Sequence, residues 1–111
     1  MTLLDATRET FADLVAEGTV LVDVWGPECR PCLALLPHVE EMARQLEGRV
    51  KVIKLEAPKA RRLCMELGLL SLPCFVLFHC GAEVGRLGGP EVSAPKLDDW
   101  FAERMEEVSN S

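Results

Sequence analysis

Val24-Trp25-Gly26-Pro27-Glu28-Cys29-Arg30-Pro31-Cys32 sets two cysteines three positions apart, where an apolar run gives way to a helical pattern. A thiol at a helix N-terminus is unusually acidic, because unpaired backbone N–H groups and the helix dipole favour the thiolate. A second thiol three residues on lies on the same helical face, within bonding reach of the first. The arrangement suits the making and breaking of a disulfide. Cysteines at this spacing also bind metal, so the flanking chain has to decide between the two.

Upstream, Thr19 to Trp25 (TVLVDVW) is β-branched and almost wholly apolar, as a central strand covered on both faces would be. Asp23 is its one exception. Before it, Phe11, Leu14 and Val15 carry the i, i+3, i+4 spacing of an amphipathic helix over Thr7 to Glu17, stopped by Gly18. Thr2-Leu3-Leu4 reads as a short edge strand.

Downstream, Leu33, Leu35, Leu36, Val39, Met42, Ala43 and Leu46 keep helical spacing as far as Gly48, with Pro37 expected to kink the helix. Val50 to Leu55 reads as a strand, and Lys59 to Leu67 as a helix with Pro58 in its first turn and Gly68 closing it. Pro73 to His79 is a strand led by proline, Cys80-Gly81 a tight turn, and Glu83 to Leu87 the returning hairpin strand. Ser93 caps a last helix, with Pro95 in its first turn and Leu97, Trp100, Phe101 and Met105 as its buried stripe. The order β-α-β-α-β-α-β-β-α predicts an α/β fold, one mixed sheet with helices on both faces, and a single domain over residues 1–111.

Composition narrows the function. Apolar residues make up 49 % of the 111-residue chain, enough for a real core. A formal net charge of −6 argues against a nucleic-acid partner, and Arg61-Arg62, the densest basic spot, reads as a solvated helix face. No run reaches the length of a membrane span, and Met1 to Glu9 lacks the basic and apolar segments of a secretory signal. The cytoplasm is therefore the expected compartment. There a close cysteine pair is more often catalytic or metal-binding than structural, and five cysteines exclude a fully paired framework.

In the exchange reading, Cys29 is the nucleophile because it precedes the helix, and Cys32 is the resolving thiol that attacks the mixed disulfide. Pro31 starts the helix firmly. In the metal reading, about four ligands are needed, and the candidates beyond the pair are His38, Cys64, Cys74, His79 and Cys80, which form no second C-x-x-C. Asp23, buried in its strand, would have a raised pKa and would take the Cys32 proton. The plainer alternative is that Asp23 sits at a strand end and caps it or pairs with Lys54, which closes the neighbouring strand, and the two readings are compatible.

The sequence resembles the thioredoxin family over nearly its whole length. The resemblance rests on Leu21-Val22-Asp23-Val24-Trp25, the Cys29/Cys32 pair with Pro31, the kinking Pro37, Val52-Ile53-Lys54-Leu55, Gly68-Leu69-Leu70-Ser71-Leu72-Pro73 and Gly88. It implies that Pro73 is cis and faces the cysteine pair, leaving the Leu72 backbone open for strand-like pairing with a substrate. It also implies an apolar docking surface of Trp25, Gly26, Pro27, Leu72, Pro73, Gly88 and Gly89 around Cys29. Catalysis would then rest on Cys29, Cys32, Asp23 and Lys54, with no cofactor and no metal. The implied substrates are disulfides of other proteins, and the implied electron donor is an NADPH-dependent flavin thioredoxin reductase. A monomer with neither nucleic-acid nor membrane partner is expected.

Three positions depart from the family pattern. Glu28 stands where tryptophan usually precedes the first cysteine, Arg30 where glycine usually follows it, and Cys74 where threonine usually follows the proline. Arg30 stabilises a Cys29 thiolate and Glu28 opposes it, so the pair bears chiefly on partner choice. Cys74 is either a small buried hydrophobe or an extra redox thiol. Two alternatives to a general reductase follow: a thioredoxin-like protein with a dedicated partner and its own reductant, or a binding module without turnover.

Overall fold

A computed structural model describes residues 3–110. Its strands are β1 (Leu3–Ala6), β2 (Thr19–Trp25), β3 (Lys51–Glu56), β4 (Cys74–His79) and β5 (Ala82–Gly88). Its helices are α1 (Phe11–Val15), α2 (Arg30–Leu46), α3 (Arg61–Leu67) and α4 (Ala94–Ser109). The α/β alternation thus follows the expected order, although Thr2 of the first expected strand lies outside the described residues.

The sheet runs β1-β3-β2-β4-β5. β3 lies parallel to both β1 and β2, and β4 lies antiparallel to both β2 and β5. β2 is therefore central, which its sequence requires: Val20, Leu21, Val22 and Val24 are wholly buried. Alternation along the strand divides them between two cores. Val20, Val22 and Val24 pack with Phe11 and Val15 of α1 and Cys64 of α3, whereas Leu21 packs with Leu35, Val39 and Met42 of α2 and Leu97 of α4. Truncating a side chain as enclosed as Leu21 to alanine costs about 2–5 kcal/mol. Asp23, two residues after Leu21, faces the α2 side.

Two expected helices change their bounds. The first helix shrinks from Thr7–Glu17 to Phe11–Val15, because Thr7 and Thr10 exchange hydrogen bonds between each backbone N–H and the other's hydroxyl, and so hold a turn. The helix expected from Lys59 divides into a 3-10 turn, Ala57–Lys59, carrying Pro58, and α3 proper; Ala60, at φ −138° and ψ 43°, separates them. α2 runs unbroken through Pro37, whose exposed position leaves the unmatched carbonyl one turn back open to water. Ser93 caps α4 as expected, its hydroxyl accepting the Lys96 N–H.

Among the described residues, no helix is long and apolar enough to cross a membrane.

Candidate active site

The cysteine pair sits where β2 hands over to α2. Cys29 is the N-cap residue of α2, in extended conformation at φ −93° and ψ 100°, and its Sγ accepts the backbone N–H of Cys32 at 3.2 Å. Cys29 and Cys32 form a disulfide, with their Cα atoms 5.2 Å apart. Pro31 occupies the first turn of the helix, where a missing N–H costs nothing. The two sulfurs are unequal: Cys29 is half-buried, while Cys32 is only 3 % exposed and lies with Leu35 and Val39 on the α2 face turned to the sheet.

The Leu72–Pro73 peptide is cis. The Pro73 carbonyl accepts the Gly89 N–H at 3.0 Å, whereas Leu72 makes no backbone hydrogen bond among the described residues. Gly26 brings the two loops together, since a Cβ there would lie 3.2 Å from Leu72 Cδ1. Gly88 is equally confined, for its Cβ would meet Cys74 Sγ and Ser71 Oγ at 3.4 Å. The expected docking residues thus converge: Gly26 touches Leu72, Gly89 bonds Pro73, and Pro27, Glu28 and Arg30 are exposed beside Cys29.

Beneath α2 a row of side chains crosses the sheet. The pairings Asp5↔Lys54, Lys54↔Asp23 and Asp23↔Phe75 put Asp5, Lys54, Asp23 and Phe75 side by side on four adjacent strands. Asp23 is 2 % exposed, and its Oδ1 has no hydrogen-bond partner among the described residues. Burial pushes its pKa up to about 7, and the charge of Lys54 pulls the other way. Of the plainer alternative for Asp23, the strand-end position does not hold, whereas Lys54 is its cross-strand neighbour and acts on its charge. Asp23 is the fifth of seven residues in β2, and the Lys54 ammonium pairs with Asp5 Oδ1, at 3.6 Å. That ammonium also lies 5.2 Å from the centre of the Trp25 ring, and the buried Trp25 Nε1 has no acceptor among the described residues.

The other chemistry-bearing residues are spread out. Cys74 pairs with Val24 and joins the core on the α1 and α3 side with Cys64, on the sheet face opposite α2. Burial pushes both of these thiols up, which keeps them protonated. Cys80 is exposed in the hairpin turn. His79 bonds the Thr19 hydroxyl, and His38 bonds Asp98 at 2.7 Å, tying α2 to α4. Among the described residues, no three His, Cys, Asp or Glu side chains gather into a metal-binding group.

Two residues at the site escaped the reading of the sequence. One is Asp5, on β1. The other is Arg86, which donates to the carbonyls of Leu67 and Gly68 at 2.9 and 3.1 Å while its guanidinium is held by both carboxylate oxygens of Glu83. Arg86 so closes the end of α3 and anchors the loop that leads to Pro73. A signal for Arg86 existed in the unfilled C-terminus of α3. None existed for Asp5, because nothing local announces that β3 inserts between β1 and β2.

The family model described as Thioredoxin matches residues 2–103. The thioredoxin of Acetoanaerobium sticklandii is 33 % identical over 98 residues, 86 % of this chain and 93 % of its own length. That of Peptoclostridium acidaminophilum is 37 % identical over 92 residues, 83 % of this chain and 84 % of its own. The thioredoxin of Synechocystis is 38 % identical over 76 residues, 68 % of this chain and 71 % of its own.

Proposed function

Because this chain belongs to the thioredoxin family and is a thiol–disulfide oxidoreductase acting on protein disulfides, we propose that Cys29 and Cys32 carry the exchange. The observation that carries this reading is the Cys29–Cys32 disulfide at the N-cap of α2. In the reduced protein, the Cys29 thiolate attacks one sulfur of a substrate disulfide and displaces the other as a thiolate, forming a mixed disulfide. Asp23 takes the proton of Cys32. The Cys32 thiolate then attacks Cys29 Sγ and expels the remaining substrate sulfur as a thiolate, which takes up the proton held by Asp23, and the Cys29–Cys32 disulfide closes. Two electrons have passed to the substrate.

Asp23 suits its part because it is ionised in a useful fraction near neutral pH. Lys54 sets how readily it ionises. Trp25, Gly26, Pro27, Pro31, Leu72, Pro73, Gly88 and Gly89 form the surface on which an extended substrate segment docks, pairing with the open Leu72 backbone. Glu28 and Arg30 select among partners by charge. Cys74 serves as packing rather than as a further redox thiol.

A reductase partner restores the dithiol, and we assign that role to an NADPH-dependent flavin thioredoxin reductase. We place the protein in the cytoplasm as a monomer, its 111 residues one domain. Insulin-disulfide reduction tests the whole scheme. The wild type should turn over with reductase and NADPH, Cys29→Ser should abolish turnover, and Cys32→Ser should trap mixed disulfides. A wild type inert with both the reductase and dithiothreitol overturns it.

A further inference from the structure

Lys54 has a carboxylate on each side. In the sheet order, β3 lies between β1 and β2, so Asp5 and Asp23 flank the lysine on the same face of the sheet, one strand spacing away in each direction. The ammonium leans to Asp5, at 3.6 Å, and rests 5.2 Å from the Trp25 ring centre, while Asp23 Oδ1 has no hydrogen-bond partner among the described residues. Asp5, Trp25 and Lys54 line an open cleft of about 560 Å³ at the C-terminal ends of the parallel strands.

We propose that Asp5 is a positioning residue for the exchange reaction: it draws the Lys54 ammonium outward and so keeps Asp23 uncompensated beneath α2. This rests on Asp23 being the proton acceptor for Cys32. A buried carboxylate without a counter-ion holds its proton more tightly, whereas a close ammonium would leave it ionised and a weaker base. Asp5 thereby tunes Asp23 without touching substrate or either sulfur.

The surroundings of Asp23 leave Lys54 as the group through which Asp5 works. Phe75, its register partner on β4, is apolar, and so is the core on this face of the sheet, to which Leu97 and Trp100 of α4 belong. The α2 cysteines are uncharged as a disulfide, and Cys74 is a protonated thiol on the other face of β4. Asp5 itself is 80 % exposed, so Asp5→Asn leaves the fold intact. Because that exposure also screens the ion pair, the expected effect is small.

The test is the Asp23 carboxyl titration, followed by carbon NMR in the oxidised protein. Asp5→Asn should lower the Asp23 midpoint by roughly half a unit, as expected for one partly exposed charge. In a Lys54→Met background, or Lys54→Gln if that variant folds better, the same substitution should shift it by less than about a third as much. No shift, an upward shift, or an equal shift in both backgrounds overturns the proposal; an equal shift would make Asp5 act by direct repulsion. The titration reads the coupling whether or not Asp23 takes the Cys32 proton. The proton-acceptor role has its own readout, the acid limb of mixed-disulfide resolution against pH, which Asp23→Asn should abolish and Asp5→Asn should move down with the NMR midpoint.

Discussion

Cys29 Sγ accepts the backbone N–H of Cys32 at 3.2 Å, so one half of the disulfide is also the cap of the helix that carries the other half. After reduction this N–H and the first-turn dipole remain aimed at the Cys29 sulfur and favour its thiolate. Cys32, by contrast, is turned inward at 3 % exposure. In the reduced protein at pH 7, limiting iodoacetamide should alkylate Cys29 at least about tenfold faster than Cys32, as a helix-terminal thiolate does. Peptide mass spectrometry gives the ratio, and comparable labelling of the two would refute the asymmetry.

Asp23 makes stability fall with pH. Its pKa in the fold, about 7, is raised above the ordinary value of 3.8, so between these limits the native state binds the proton that the unfolded chain has released. The stability contributed by the protonated form is complete below about pH 4 and is lost as pH rises through 7. The full shift corresponds to something on the order of 4 kcal/mol. Asp23→Asn should therefore stabilise the oxidised protein at pH 8 by 1 to a few kcal/mol (an order-of-magnitude range) and flatten the pH dependence above 4, as read by guanidinium unfolding.

Arg86 ties the end of α3 to β5 through the Leu67 and Gly68 carbonyls. Arg86→Met keeps the aliphatic stem but frees those carbonyls, and the site is exposed enough for water to replace the lost bonds. The expected cost is about 1 kcal/mol. Hydrogen exchange should quicken locally at the Leu69 and Gly89 amides, which bond Cys64 and Pro73, and remain slow in β2. A rise in KM with kcat unchanged would accompany it, since the loop presenting Leu72 loosens.

The three cysteines outside the disulfide divide by burial. Cys64 and Cys74 are enclosed and held protonated, while Cys80 is exposed in the hairpin turn. With Ellman's reagent, the native oxidised protein should release one equivalent of thionitrobenzoate quickly, and Cys80→Ser should remove that phase. In guanidinium all three thiols should react. A fast phase surviving in Cys80→Ser would mean that one of the buried pair opens readily.

Most of this site is legible from local chemistry. β2 appears over the very residues, Thr19 to Trp25, that its apolar β-branched run marks, and the helix after the cysteines begins where Pro31 allows. Helix starts were harder. Thr7 and Thr10 use their hydroxyls on each other's amides and convert the first turn of an apparent helix into a cap-like loop. The Lys54 partner was illegible for a different reason. Asp23 and Lys54 are strand neighbours, as expected, but a third strand supplies Asp5 from the other side, and strand order within a sheet is a property of the whole chain. The same holds for Cys74. Its place in sequence suggests nearness to the disulfide, but the pleat of β4 turns it to the opposite face.

The hairpin turn has a practical consequence. β4 begins one residue after Pro73 and ends one residue before Cys80, so this six-residue strand acts as a ruler of about 23 Å between the Leu72–Pro73 loop and a natural thiol. A fluorophore or surface linker attached at Cys80 would immobilise or report on the enzyme from the far end of the strands, with its working face left clear.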